Sequence, residues 1–267
     1  VQRLGPPHWP RYPAGAVFGA LYDQSPEKGL RAAWLSSRLI AADLDALGIS
    51  VDCLPLADVP VAGADAVIGD RAYGTTPEKV ATIARAVTDG LLAGGILPIL
   101  KHIPGHGRAF SDSHHDLPVV DTAIEELDAW DFAPFKMLSD MPMAMTAHVV
   151  YTAIDKKRPA TTSKKAMRQV IRGALGFDGL VMSDDLSMKA LKGDFAERAK
   201  ASLAAGCDVV LHCNGDMAEM KAVVAGTKAL KGRAAERARA ALARLACSPE
   251  PFDEAEARAR FASAFGK

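Results

Sequence analysis

Residues 96–107 read Ile96-Leu97-Pro98-Ile99-Leu100-Lys101-His102-Ile103-Pro104-Gly105-His106-Gly107, an apolar run that turns abruptly polar. The first five residues have the length and character of a buried strand in a parallel sheet. Polar groups leaving the C-terminal end of such a strand are where α/β folds place their chemistry. Pro104 and the two glycines let the backbone turn sharply without large side chains, which leaves room for a ligand. Asp112-Ser113-His114-His115-Asp116 follows, so four of the chain's seven histidines fall within 14 residues. This run is the first place to look for an active site.

Outward from it, apolar strands alternate with helical patterns. Leu30, Trp34, Ala41, Leu44 and Leu47 recur at three-and-four spacing and stop at Gly48. A strand is expected over 49–56. The next helix has Thr76 at its N-cap and Pro77 at its first position, carries Val80, Ile83, Ala84, Val87 and Leu91, and ends at Gly94-Gly95. Further strands read at 96–100, 143–149, 179–183 and 207–212. Helices fall near 163–175 and 195–205, and another opens near Asp216. The tail from about residue 225, rich in Ala, Arg and Glu, reads as surface helices. Five strands separated by helices indicate a parallel sheet with right-handed crossovers in one domain over 1–267.

Composition narrows the function classes. The chain has 267 residues, 49% hydrophobic and 6% aromatic, enough to bury one substantial core. Basic and acidic residues balance at 32 each, so no global field favours nucleic acid or an anionic membrane. No stretch approaches the ~20 apolar residues of a membrane span. Cys53, Cys207, Cys213 and Cys247 are scattered without zinc-type spacing, as suits a reducing compartment. The start, Val1-Gln2-Arg3-Leu4-Gly5-Pro6-Pro7, is no secretory signal, and the expected location is cytoplasmic. Nothing here fixes an oligomeric state.

Polar residues gather after the strands: Lys101-His102, Thr146-Ala147-His148, Ser183-Asp184-Asp185 and His212-Cys213-Asn214-Gly215. The first strand feeds a longer loop carrying Asp58 and then Gly69-Asp70-Arg71. Each residue alone has an ordinary reading. His148 serves equally as a satisfied core histidine, Asp185 as a turn cap, and Arg71, His115 and Asp116 as loop polars. Their convergence on one side of one sheet argues for a site. Two chemistries fit. In one, Asp184 or Asp185 attacks an anomeric carbon while a histidine held by an aspartate protonates the leaving oxygen. In the other, His102, His106, His114 or His115 with an aspartate binds a divalent metal and activates water, although no helix-borne His-x-x-x-His spacing is present. A sugar- or phosphate-binding module without catalysis, with the Gly105/Gly107 turn as an anion nest, is the third reading.

Lys101-His102-Ile103-Pro104-Gly105-His106-Gly107, Asp112-Ser113-His114 and Ser183-Asp184-Asp185-Leu186-Ser187-Met188 resemble the motifs of family 3 glycoside hydrolases. More narrowly, they resemble the bacterial β-N-acetylglucosaminidases of peptidoglycan recycling. Ile68-Gly69-Asp70-Arg71, Met145-Thr146-Ala147-His148 and Leu211-His212-Cys213-Asn214-Gly215 extend the likeness almost end to end. The resemblance implies a retaining exo-enzyme, acting without a cofactor. Its substrate would be a small carbohydrate, non-reducing N-acetylglucosamine on sugars carrying 1,6-anhydro-N-acetylmuramic acid. It implies Asp184 as nucleophile, His114 paired with Asp112 as acid/base, and Arg3, Arg71, Lys101 and His102 as sugar-binding residues. It also implies a (β/α)8 TIM-type barrel. Only five strands are legible, so the first three of the barrel are expected to be lacking from this chain, on the order of 60–90 residues at about 30 per unit.

Overall fold

Alternate residues of a strand face opposite sides, and here that alternation sorts the interior into two layers. The computed structural model describes residues 4–110, 116–246 and 249–266, so three of the expected site residues, Arg3, Asp112 and His114, lie outside the described residues. The strands are β1 (Val51–Asp52), β2 (Leu97–Ile103), β3 (Val119–Val120), β4 (Met143–Thr146), β5 (Val150–Tyr151), β6 (Leu180–Asp185) and β7 (Val209–Leu211). The main sheet runs β1-β2-β4-β6-β7 with every pair parallel, and β3 pairs with β5 beside it. The register places Val51 opposite Leu97, Ile99 opposite Met143, Met143 opposite Leu180 and Met182 opposite Val209. The helices are α1 (Gly15–Gln24), α2 (Pro26–Asp45), α3 (Pro77–Ala93), α4 (Ile124–Ala129), α5 (Ala133–Met137), α6 (Phe195–Ala205), α7 (Met217–Ala225), α8 (Gly232–Ala243) and α9 (Glu254–Ser263).

One sheet face, with Leu100, Ala144 and Val181, packs on α2 and α3 through Ala32, Ala33, Val80, Ile83, Ala84 and Val87. The other, with Leu97, Ile99, Met143, Met145 and Leu180, packs against Ala241, Ala238 and Leu245. The five strands expected from the sequence are thus present as consecutive parallel neighbours. They make a parallel half-barrel. Among the described residues no helix is long and apolar enough to cross a membrane.

Several boundaries differ from the sequence reading, and α1, β3, α4, α5 and β5 are elements it does not contain. β2 runs on to Ile103 and β6 to Asp185, so Lys101, His102, Asp184 and Asp185 lie in the last residues of strands rather than after them. The strand expected over 49–56 has ladder pairing only at Val51 and Asp52, because Pro55 carries no N–H to extend it. The pairing resumes as a bridge between Leu56 and Lys101, with Lys101 N–H donating to the Pro55 carbonyl at 3.0 Å. The strand expected over 143–149 ends at Thr146, and the chain then turns into β5. The helix expected near 163–175 is π-helical over Ala166–Ala174. Helix starts are closer to expectation. Thr76 holds the N-cap position of α3 with Pro77 next, and the Asp216 carboxylate caps α7 by accepting from Ala218 and Glu219 N–H at 2.9 Å each.

Candidate active site

Because the strands are parallel, their C-terminal ends share one rim. Asp58 reaches it from the loop after β1, Lys101 and His102 from the end of β2, His148 from just past β4, Asp184 and Asp185 from the end of β6. The turn after β2 is held open by backbone demands. Gly105 sits at φ +141°, and a Cβ on Gly107 would lie 2.0 Å from the Val59 carbonyl oxygen, so only glycine fits this close approach.

Asp58 is wholly buried. Its Oδ2 accepts from His102 Nδ1 at 2.7 Å, and its Oδ1 accepts the backbone N–H of His106 at 2.7 Å and of His102 at 3.2 Å. Burial alone would raise its pKa, but the charge and hydrogen bond of His102, then His106, outweigh it and hold the pKa below the ordinary aspartate value. The other ring nitrogen, His102 Nε2, stands 4.0 Å from Asp184 Oδ2. His106 is buried edge-on to His102 with ring centroids 5.6 Å apart, and burial followed by His102 pushes its pKa down.

Asp184 is 5% exposed, enough for a carboxylate to be reached but poorly hydrated. Burial raises its pKa. His102, His148, the Asp185 N–H donating to Oδ1 at 2.8 Å, and Lys101 together outweigh that and keep it below the usual carboxylate range. A carboxylate in that state is ionised at neutral pH and carries little water to shed.

Asp185 is engaged quite differently. Its Oδ1 accepts from Ser187 N at 3.0 Å and Cys213 N at 3.2 Å, and its Oδ2 accepts from the Ser187 hydroxyl. That carboxylate fastens the turn after β6 to the loop after β7, leaving Asp184 as the one turned toward His102. Strand parity could not make this distinction.

His148 completes the rim from below. It is fully buried, and burial pushes its pKa down, so the neutral ring is favoured. Its Nε2 lies 3.1 Å from the Asp185 carbonyl, which can only accept, so Nε2 carries the proton. Nδ1 lies 2.6 Å from the Thr161 hydroxyl, which also contacts the Thr146 hydroxyl at 2.8 Å and donates to the Ala147 carbonyl at 3.1 Å. The reading of His148 as a satisfied core histidine therefore holds, since both ring nitrogens have partners.

Of the sequence-predicted site residues, the structure brings Lys101, His102 and Asp184 together. Arg71 stands apart. Its Nε donates to the Val67 carbonyl at 2.9 Å and its Nη2 to the same oxygen, within its own turn. Arg3, Asp112 and His114 lie outside the described residues. Among the described residues no three His, Cys, Asp or Glu side chains converge as a metal site. Asp58 was missed as a site residue, and its only sequence signal was its place in the loop after the first strand.

Comparison with known proteins gives a consistent picture. A sequence profile described as the glycosyl hydrolase family 3 N terminal domain matches residues 8–247. The β-hexosaminidase of Bordetella avium is 38% identical over 218 residues, covering 80% of this chain and 62% of that protein. The β-hexosaminidase of Neisseria gonorrhoeae is 42% identical over 209 residues, covering 76% of this chain and 57% of that protein. The chain thus spans about three fifths of the length of these curated relatives. Among solved structures, NagZ from N. gonorrhoeae in complex with N-trifluoroacetyl-D-glucosamine aligns with a TM-score of 0.85 at 34% identity, over 99% of this chain and 78% of that one. A family 3 β-N-acetylglucosaminidase from Paenibacillus sp. aligns with a TM-score of 0.82 at 30% identity, over 94% of this chain and 51% of that one.

Proposed function

The chain belongs to glycosyl hydrolase family 3, and from that premise we propose that it is the catalytic part of a retaining exo-β-N-acetylglucosaminidase. The substrate is non-reducing N-acetylglucosamine on muropeptide-derived sugars ending in 1,6-anhydro-N-acetylmuramic acid, and the enzyme acts in the cytoplasm without a cofactor. The observation that carries the reading is Asp184: a buried, ionised carboxylate at the rim, facing His102 while its neighbour Asp185 is committed to a turn. The relatives are β-hexosaminidases, and one aligned structure holds an N-acylated glucosamine, which supports the sugar class.

In the first step Asp184 attacks the anomeric carbon, forming a C–O ester bond as the glycosidic C–O bond breaks. His114, oriented by Asp112, gives its proton to the leaving oxygen. In the second step the His114 imidazole takes a proton from water, the hydroxide attacks the same carbon, and the Asp184 ester bond breaks to return the carboxylate. Two displacements at one carbon retain its configuration. Lys101, His102, Arg71 and Arg3 bind sugar hydroxyls. In the whole protein the half-barrel forms part of a closed (β/α)8 barrel.

Asp184→Asn tests the assignment. The amide keeps the shape and loses the nucleophile, so turnover should fall by about three orders of magnitude or more while sugar affinity stays within a few-fold. A fluoroglycoside of N-acetylglucosamine should leave a covalent adduct on the peptide containing Asp184. An adduct on Asp185, or no adduct with a fully active variant, would remove Asp184 from the role.

A further inference from the structure

The carboxylate of Asp58 is buried completely and accepts three hydrogen bonds, all from the segment His102–His106. A buried carboxylate is tolerated only where donors replace its lost water, so these three bonds are what keep it there. An ionised carboxylate only accepts, and at 2.7 Å from Oδ2 the His102 Nδ1 must therefore carry a proton. The other carboxylate oxygen takes the backbone N–H of the same residue, so ring and main chain are gripped by one group. A flipped ring would set carbon against Oδ2 and lose the bond. On one flank the His106 ring closes the space at 5.6 Å.

We propose that Asp58 is a positioning residue of this site: by fixing a proton on His102 Nδ1 it presents Nε2, the nitrogen 4.0 Å from Asp184, to the bound sugar. The sugar in that statement rests on the functional reading above, whereas the proton placement does not. With Nδ1 protonated, a neutral His102 offers a bare Nε2 that accepts from a sugar hydroxyl, and a charged one offers a donor. In either state the same atom faces the ligand. Asp58 arrives from the loop after β1 and His102 from β2, so this contact atom is referenced to two strands at once. The arrangement is a second Asp/His pair, separate in sequence from Asp112 and His114.

The test combines a proton-placement readout with kinetics. In long-range 1H–15N spectra of protein labelled at histidine, with His102 identified through His102→Gln, the wild-type ring should bear its proton on Nδ1 at neutral pH. In Asp58→Asn the amide oxygen can retain the two backbone bonds, but the amide nitrogen donates toward the ring. The proton should therefore move to Nε2. For a nitrophenyl N-acetylglucosaminide, KM should rise about tenfold or more with a smaller change in kcat, as expected for a misdirected binding group. A purely structural Asp58 would lower thermal stability and leave both the proton position and KM unchanged. A wild-type ring protonated on Nε2 alone overturns the proposal, and that spectrum decides even if the variant fails to fold. Expected spectra from a protein that cleaves no glycoside would instead refute the functional reading and leave Asp58 in its place.

Discussion

Asp184 and Asp185 are adjacent and identical, and their surroundings give them different chemistry. Asp185 is spent on Ser187 and Cys213, while Asp184 is left facing His102 with its negative charge supported from several sides. The same logic extends to the proposed acid/base. Protonation matters most when the leaving group is poor, so His114→Ala should slow cleavage of the natural disaccharide about a hundredfold or more, and an activated nitrophenyl glycoside by less than about tenfold. Asp112→Ala should show the same bias more weakly, since the imidazole remains. Comparable losses on both substrates would mean that His114 is not the proton donor. A ratio of rate constants for the two substrates measures this directly.

At the scale of elements, chemistry and anchoring are separated to opposite strand ends. Asp208, just before β7, accepts Val181 N–H at 2.9 Å and pairs with Arg172 at 2.8 Å and Arg237 at 3.2 Å. Arg172 also donates to the carbonyls of Phe177 and Gly179. One buried carboxylate thus joins the π-helical segment, β6, β7 and α8 away from the active rim. Asp208→Ala should cost about 3–5 kcal/mol in urea unfolding, because it strands a half-buried guanidinium and a strand N–H. Asp208→Asn, which keeps the N–H acceptor, should cost about half as much. Activity per folded molecule should stay within about twofold, since no group at the rim is touched. A large kcat loss without destabilisation would mean that the two ends are coupled.

For the whole molecule, pH acts through buried carboxylates of opposite sign. Asp131 pairs with Arg108 at 3.0 Å, yet burial dominates and lifts its pKa to about 6 from 3.8. The folded protein therefore holds that proton more tightly than the unfolded chain does. Its contribution to stability is complete below about pH 4 and is lost as pH rises through about 6, on the order of 2–3 kcal/mol in all. Asp58 and Asp184 run the other way: their depressed pKa values stabilise above about pH 4, and that contribution is lost as pH falls through their folded values. In Asp131→Asn the contribution of Asp131 disappears. The stability difference between variant and wild type, followed by urea unfolding, should shift in the variant's favour between about pH 4 and 6. A difference that stays constant across that window would show that Arg108 cancels the burial.

The sequence by itself determined the order of the five main-sheet strands and of α2, α3, α6 and α7 around them, the parallel sheet and the rim, because buried parallel strands read as short apolar runs and polar residues cluster at their ends. Thr76-Pro77, Asp216 and Gly94-Gly95 marked helix ends through chemistry that acts within one turn. Its long motifs also carried the family. What it could not supply depends on groups far apart in the chain. The pairing of Asp58 with His102 spans 44 residues, and the bond from Cys213 that commits Asp185 spans 28. The short β3–β5 pair, two residues on each side, is too brief for any periodicity to mark. Proton positions on His102 and His148 follow from which acceptors the fold sets opposite each ring nitrogen, and only the tertiary structure decides that.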